Sequence, residues 1–137
     1  MDNFSISLQD LCHGWATIKF ENDGKQLVYT VSYITSDALL HLVYSALSAI
    51  QNKPYQTRFY LEPDYLSYEV KPCDGELCIL VGDAGFSCGI KRYAREILKI
   101  FDSYLFSHGK EEYITRWYCD YPENAIEKLR EQLQKAT

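Results

Sequence analysis

The sequence predicts an α+β domain in which an antiparallel sheet of about five strands carries two long helices on one face and a further helix at the C-terminus. Residues 15–34 alternate between apolar and polar positions on either side of an Asn-Asp-Gly turn at 22–24, which is typical of a β-hairpin. Residues 57–82 divide into three short strand patterns separated by brief turns. Apolar residues recur at helical spacing within residues 37–50 and 90–108.

The first half of the chain is predicted to form a hairpin followed by a helix. The strands cover residues 15–21 and 26–34, whereas the first dozen residues have no clear pattern. Thr35, Ser36 and Asp37 mark the start of the helix, with a hydroxyl capping the free amides and Asp37 in the first turn. The predicted core face of this helix consists of Leu39, Leu40, Val43, Leu47 and Ile50.

The second half is predicted to form a meander and two helices, which gives the order ββαβββα plus a terminal helix. The helix at residues 90–108 ends at Gly109, and residues 113–119 form a short extended piece. Pro122 favours the first turn of the last helix. The apolar stripe of the long helix consists of Ile90, Ala94, Ile97, Leu98, Phe101 and Leu105, and that of the last helix consists of Ala125, Ile126, Leu129 and Leu133.

Length and composition predict a single domain over residues 1–137 that needs neither disulfide nor metal to fold. The chain has 137 residues, of which 47% are hydrophobic and 24% charged, close to globular averages. It has five cysteines at wide spacing, no signal-peptide pattern at its start and no apolar run long enough for a membrane span. These features predict reduced thiols, a cytoplasmic location and no membrane partner.

The charge distribution argues against a nucleic-acid partner, because nucleic-acid-binding domains usually carry a basic footprint. The formal net charge is −5. Residues 1–88 hold 11 acidic and 5 basic side chains, a net −6, and residues 89–137 hold 8 and 9, a net +1. An acidic first two thirds predicts a basic partner.

Several patterns associated with catalysis or ligand binding are weak in this sequence. Cys73, Cys78 and Cys88 lack the spacing of a zinc knuckle, and the sequence predicts no metal and no cofactor. Cys88 is the most plausible reactive thiol, since it precedes a helix that begins with basic residues. The glycine-rich segment 82–89 resembles an anion cradle but matches no nucleotide-binding motif. Glu62 and a neighbouring turn carboxylate do not indicate an acid–base pair.

Tyrosines interleaved with acids between residues 55 and 76 are the strongest functional signal. The chain has 12 tyrosines against one methionine and two tryptophans. Tyrosine is enriched at protein interfaces, and acidic groups around it steer a basic partner. The alternative is that the tyrosines pack a sheet face and the acids only solubilise it. The predicted partner-binding residues are Tyr60, Glu62, Asp64, Tyr65, Tyr68, Glu69, Asp74 and Glu76.

The sequence also resembles the small acidic immunity proteins of bacterial polymorphic and contact-dependent toxin systems. The resemblance rests on Val-Ser-Tyr-Ile-Thr-Ser-Asp-Ala-Leu-Leu at residues 31–40 and on Tyr-Leu-Glu-Pro-Asp-Tyr at residues 60–65, and it covers the first 82 residues. It implies a protein that blocks a toxin, often a basic nuclease, by covering it. It carries no residue roles, because these immunity proteins differ widely in fold.

Two functional hypotheses follow from the sequence. The first is a non-enzymatic binding protein, an immunity protein that neutralises a basic toxin domain. The second is a regulatory or small-ligand-binding domain in which the segment 82–89 and the long second helix form the site. An enzyme of another type ranks third.

Overall fold

The computed structural model describes residues 3–136, which form one antiparallel sheet and four helices. The strands are β1 (Ser5–Cys12), β2 (Trp15–Asn22), β3 (Lys25–Ser32), β4 (Tyr55–Tyr60), β5 (Tyr65–Cys73), β6 (Glu76–Val81) and β7 (Ala84–Cys88). The helices are α1 (Ala38–Ile50), α2 (Ile90–Ser107), α3 (Lys110–Trp117) and α4 (Glu123–Ala136). The strands pair in chain order from β1 to β7.

The structure corrects the predicted fold. The observed fold is an α+β arrangement with an antiparallel sheet. The prediction of about five strands with two long helices and a C-terminal helix is wrong. The sheet has seven strands and four helices lie in the described part of the chain. The additional elements are β1, β7 and α3, and each has a local physical explanation.

Strand β1 occupies the first dozen residues, which have no clear pattern in the sequence. A β-bulge between Leu8 and Asp10 shifts its register against β2. The bulge adds one residue to β1, so even-numbered residues such as Ile6 and Leu8 face the core before it, and the odd-numbered Leu11 faces the core after it. An alternation of period two therefore does not continue through the strand.

The segment 82–89 contains a two-residue turn and strand β7, whereas the sequence predicted a loop. Val81 pairs with Ala84 across the turn. Phe86 and Cys88 then alternate into the core, where they are 6% and 1% exposed. Gly82 lies in the turn, Gly85 in β7 and Gly89 at the N-cap of α2, so the segment is not the free loop that the anion-cradle interpretation required.

Residues 113–119, predicted to be extended, lie mainly in helix α3. Their tyrosine, isoleucine, threonine and tryptophan favour strands in isolation. Tyr113 and Trp117 are one helical turn apart, and both are buried against the core. Glu111 and Glu112 occupy the first turn, where negative charge complements the helix dipole. Tertiary packing of the two aromatic rings therefore overrides local propensity.

Helix α1 begins where the sequence predicts, but with a different cap. Asp37 is the N-cap residue, and its Oδ1 accepts a hydrogen bond from the Leu40 amide at 3.1 Å. The same oxygen accepts from the indole nitrogen of Trp117 at 2.7 Å. One carboxylate thus replaces the predicted hydroxyl cap and ties α1 to α3.

The helices and one sheet face enclose a single core. The predicted helical stripes are confirmed at Leu47 and Leu98, which are both buried in that core, whereas Leu105 at the end of the predicted α2 stripe is exposed. On β5, Leu66, Tyr68 and Val70 point inward, while Tyr65, Ser67 and Glu69 are exposed or half-buried on the opposite side. We call that opposite side the outer face of the sheet. No helix among the described residues covers it.

The sheet folds over the core instead of remaining flat. Strands β3 and β4 pair only at Ser32 and Tyr60, so the β1–β3 and β4–β7 parts diverge from that point. The β2–β3 turn then reaches back to β7, where the Asn22 side-chain amide donates to the Ser87 carbonyl at 3.0 Å. The Lys25 ammonium donates to the Gly85 carbonyl in the same region.

Replacing Gly14 by alanine is expected to destabilise the β1–β2 hairpin by about 1–3 kcal/mol. Gly14 has φ +77°, and a Cβ atom there would lie 2.5 Å from Cδ1 of Tyr33. Gly75→Ala is the matched control, since Gly75 has φ +82° and no atom within 4 Å of the added Cβ. Urea denaturation of both variants separates the contact with Tyr33 from the cost of positive φ. Equal losses would contradict the close approach of Tyr33.

Candidate interaction surface

The structure does not bring the predicted partner-binding residues together in one site. Strand alternation directs Tyr65 and Glu69 of β5 to the outer face and Tyr68 to the core. Tyr60 lies opposite Tyr65 on β4. The other predicted residues lie in or beside turns at the two ends of the β5 strand.

One end of β4 and β5 brings tyrosines, a cation and two acids together. The Tyr60 and Tyr65 ring centroids are 6.5 Å apart, and Tyr65 is 50% exposed. The Arg58 guanidinium carbon lies 4.3 Å from the Tyr65 ring centroid in a cation–π contact. Glu62 and Asp64 lie in the adjoining turn and are exposed. We call these five residues the tyrosine-end patch.

The turn of the tyrosine-end patch is held by its own backbone. The Leu61 amide donates to the Asp64 carbonyl at 2.8 Å, and the Glu62 amide donates to the same carbonyl at 3.2 Å. Neither the Glu62 nor the Asp64 side chain forms an ion pair within residues 3–136. The two carboxylates are therefore available to a cationic partner.

Asp74 and Glu76 lie at the opposite end of the strand. The β5 strand runs from Tyr65 to Cys73, so at a rise of about 3.3 Å per residue these acids are about 26 Å from the tyrosine-end patch. Both are exposed in or next to the β5–β6 turn. The structure does not bring them into one site with Tyr60 and Tyr65.

Tyr68 belongs to the core, not to the surface. It is 1% exposed, and its ring stacks on Phe59 at a centroid distance of 4.7 Å. Its hydroxyl hydrogen-bonds that of Tyr93, which in turn bonds the Ser45 hydroxyl at 2.7 Å. Burial raises the pKa of Tyr68 well above its ordinary value. In this fold Tyr68 cannot touch a partner, so we remove it from the candidate set.

Glu69 lies further along the outer face, on a groove that continues from the tyrosine-end patch. Glu69 pairs with Gln56 on β4 and with Leu80 on β6. The groove has a volume of about 620 Å³, and Arg58 lines it together with Glu69. Because Arg58 belongs to both features, a partner seated on Tyr65 would also approach Glu69.

The sequence interpretation missed Arg58. It emphasised acids and tyrosines, and a single cation among them carried no special signal. Arg58 precedes Tyr60 by two residues, a spacing that places both side chains on the same face of a strand. That spacing was the available signal, although the stacking of Arg58 on Tyr65 depends on the register between β4 and β5.

The other candidate groups are distributed through the fold. All five cysteines are free thiols, and Cys88 is buried at the end of β7. Within residues 3–136 no three His, Cys, Asp or Glu side chains are grouped as metal ligands. His41 hydrogen-bonds the Tyr55 hydroxyl, and burial lowers the pKa of this imidazole although Asp37 acts in the opposite direction. His108 pairs with Glu112 at 3.2 Å.

Comparisons of this chain with protein-family models, with curated proteins and with solved structures found no match. The helices among residues 3–136 are all too short or too polar to cross a membrane.

Proposed function

We propose that this chain is a non-enzymatic protein-binding domain that recognises a basic protein through the tyrosine-end patch. One observation carries the proposal: an exposed tyrosine, Tyr65, is packed by Arg58 and Tyr60 beside two unpaired carboxylates on a sheet face that no described helix covers. More specifically, we propose an immunity protein that neutralises a basic toxin domain.

The packing of Tyr65 supports a role as an interface anchor. An aromatic side chain that neighbouring groups already hold loses little conformational entropy on binding. Arg58 on the ring and Tyr60 opposite it restrict the side chain while half of its surface stays accessible. Tyrosine and arginine are both enriched among residues that dominate binding energy.

The charge distribution supports a basic partner. The tyrosine-end patch lies within residues 1–88, which carry a net charge of −6 from 11 acidic and 5 basic side chains. Acidic groups can raise association rates with a cationic protein by about 10- to 1,000-fold at low ionic strength. In a complex with a nuclease toxin, Glu62 and Asp64 would occupy positions that substrate phosphates otherwise take.

Variants of Tyr65 and Asp64 test the surface by different kinetic effects. Tyr65→Ala is expected to cost about 2 kcal/mol or more of binding free energy, mainly through faster dissociation. Asp64→Lys is expected to slow association and to weaken its dependence on salt. The partner is captured by affinity from the source cell's lysate, including the product of the upstream gene, and the kinetics are measured at two salt concentrations.

Two controls match these variants elsewhere on the surface. Tyr44→Ala removes another exposed tyrosine, 40% accessible on α1. Asp120→Lys makes the same charge reversal at an exposed residue just before α4. We expect both controls to bind normally. If a basic partner is captured but Tyr65→Ala and Asp64→Lys leave its binding kinetics unchanged, the proposed site is wrong and the proposed function stands. Capture of a small metabolite in place of a protein would contradict the proposed function.

A further inference from the structure

The β5–β6 hairpin brings two cysteines together. A two-residue turn at 74–75 joins the strands, and both of its residues have positive φ, as in a type I′ turn. Cys73 pairs with Glu76 immediately beside this turn. Two residues further along the strands, Lys71 pairs with Cys78. Cys73 and Cys78 are therefore diagonal neighbours across the hairpin, a position from which side chains can interact.

Both cysteines lie on the outer face of the sheet. On β6, Leu77 and Ile79 are fully buried in the core, and Cys78 between them is half-buried on the opposite side. On β5, Cys73 is also half-buried and lies an even number of residues from Glu69, which places it on the same side. Both thiols are free. A small oxidant can therefore reach the pair from solvent.

The two thiols contact each other through a hydrogen bond. This bond raises the pKa of Cys78, and partial burial of the sulfur adds to the effect. The positive charge of Lys71 acts on the same thiol in the opposite direction. A hydrogen bond that keeps the proton on Cys78 makes this thiol the donor and the Cys73 sulfur the acceptor. Cys73 is therefore placed to react first as a thiolate, with Cys78 beside it.

Two other cysteines have surroundings that oppose such chemistry. Cys88 lies on β7, the neighbour of β6, but it is 1% exposed and points into the core. Its register partner is the buried Leu77, so Cys88 and Cys78 lie on opposite faces of the sheet. Burial beside Asp37 raises the pKa of Cys119 to about 11, which keeps that thiol protonated and unreactive. The register thus favours Cys73 as the partner of Cys78.

We propose that Cys73 and Cys78 form a redox-active dithiol that hydrogen peroxide converts into a disulfide across the β5–β6 hairpin. The Cys73 thiolate attacks one peroxide oxygen, the O–O bond breaks, and the released hydroxide takes up a proton, which leaves a sulfenic acid on Cys73 and one water. The Cys78 sulfur then attacks the Cys73 sulfur, the S–O bond breaks, and the hydroxyl leaves with the Cys78 proton as a second water.

The hairpin can accommodate this bond. Because Cys73 is the last residue of β5, the strand end can adjust at the turn while the buried pair of Val70 and Ile79 keeps its register. A dithiol reductant restores both thiols by exchange, so the modification is reversible. The pair lies at the opposite end of β5 from the tyrosine-end patch, and its argument is independent of the proposed function.

The test is brief treatment of the folded full chain with hydrogen peroxide, followed by denaturation, blocking of the remaining thiols with N-ethylmaleimide and measurement of the intact mass. We expect two of the five thiols to be lost, a monomer on a non-reducing gel, and recovery of both thiols with dithiothreitol. Glutamate-specific proteolysis cuts the chain after Glu76, between the two cysteines. The disulfide should therefore hold together two peptides that separate on reduction.

Single cysteine variants assign the two roles. Cys78→Ser is expected to stop at the Cys73 sulfenic acid, which dimedone traps, whereas Cys73→Ser should keep its four thiols under the same treatment. Cys88→Ala is the matched control, because it removes a cysteine from the neighbouring strand but from the other face, and it should form the disulfide as the wild type does. Thermal melts verify that each variant folds.

Three results would overturn the proposal. The first is a wild-type chain that keeps all five thiols after peroxide treatment. The second is a disulfide that still forms in Cys73→Ser or is lost in Cys88→Ala, since either would identify a different pair. The third is disulfide-linked dimers in place of the closed monomer.

Discussion

Replacement of Trp117 by alanine is expected to lower the free energy of unfolding by about 3–5 kcal/mol. Trp117 is fully buried and is the largest such side chain in the core. Its removal leaves a cavity beneath α3 and takes away the indole donor to Asp37 at 2.7 Å. Because the same Asp37 oxygen caps α1 through the Leu40 amide, the effect extends from α3 to the start of α1.

Urea denaturation with Ile114→Ala as the control measures this effect. Ile114 lies on the same helix and is 41% exposed, so its truncation is expected to cost within about 0.5 kcal/mol. Trp117→Phe separates packing from the hydrogen bond, since it retains an aromatic ring but has no donor for Asp37. A loss for Trp117→Ala no larger than that of the control would show that α3 does not pack on the core as described.

Stability is also expected to fall steeply above about pH 10, the ordinary pKa of tyrosine. Burial raises the pKa of Tyr68, Tyr93 and Tyr113 in the folded chain well above that of the unfolded chain. Above the unfolded pKa the native state therefore holds more protons than the unfolded state, and each tyrosine costs about 1.4 kcal/mol per pH unit until its folded pKa is reached. Three such residues give a loss of about 4 kcal/mol between roughly pH 9 and pH 11.

Urea denaturation at these two pH values tests the alkaline prediction. Cys119, whose pKa burial raises to about 11, acts in the same direction. Tyr68→Phe removes one titrating group and should reduce the pH-dependent loss by about 1.4 kcal/mol, whereas Tyr65→Phe at the surface should leave the loss unchanged. Stability that is constant across this interval would contradict the burial of the three hydroxyls.

The helices with strong apolar periodicity were predictable from the sequence, and the strands with interrupted patterns were not. The stripe of α2 identifies that helix because its buried face recurs every three or four residues. The β1 strand escapes detection because its bulge changes the parity of the inward positions. The α3 helix escapes because two buried aromatic rings outweigh the strand preference of the residues around them.

The candidate surface was predictable only in part. Tyr65 and Tyr68 are three residues apart, and an odd separation within one strand places two side chains on opposite faces. The sequence therefore requires that one of the two tyrosines be inside, but not which one. The contact of Arg58 with Tyr65 depends on the β4–β5 register, and the separation of Asp74 from the patch depends on the full length of β5.

The meander order of the sheet has a consequence for folding kinetics. All strand pairings join sequence neighbours, and most close through turns of only a few residues. Such local pairings lower the contact order, and chains of low contact order fold faster than those with distant pairings. The β3–β4 junction is the exception, since α1 separates the two strands and only Ser32 and Tyr60 pair. We therefore expect the β1–β3 and β4–β7 parts to form early and their docking around α1 to limit the rate.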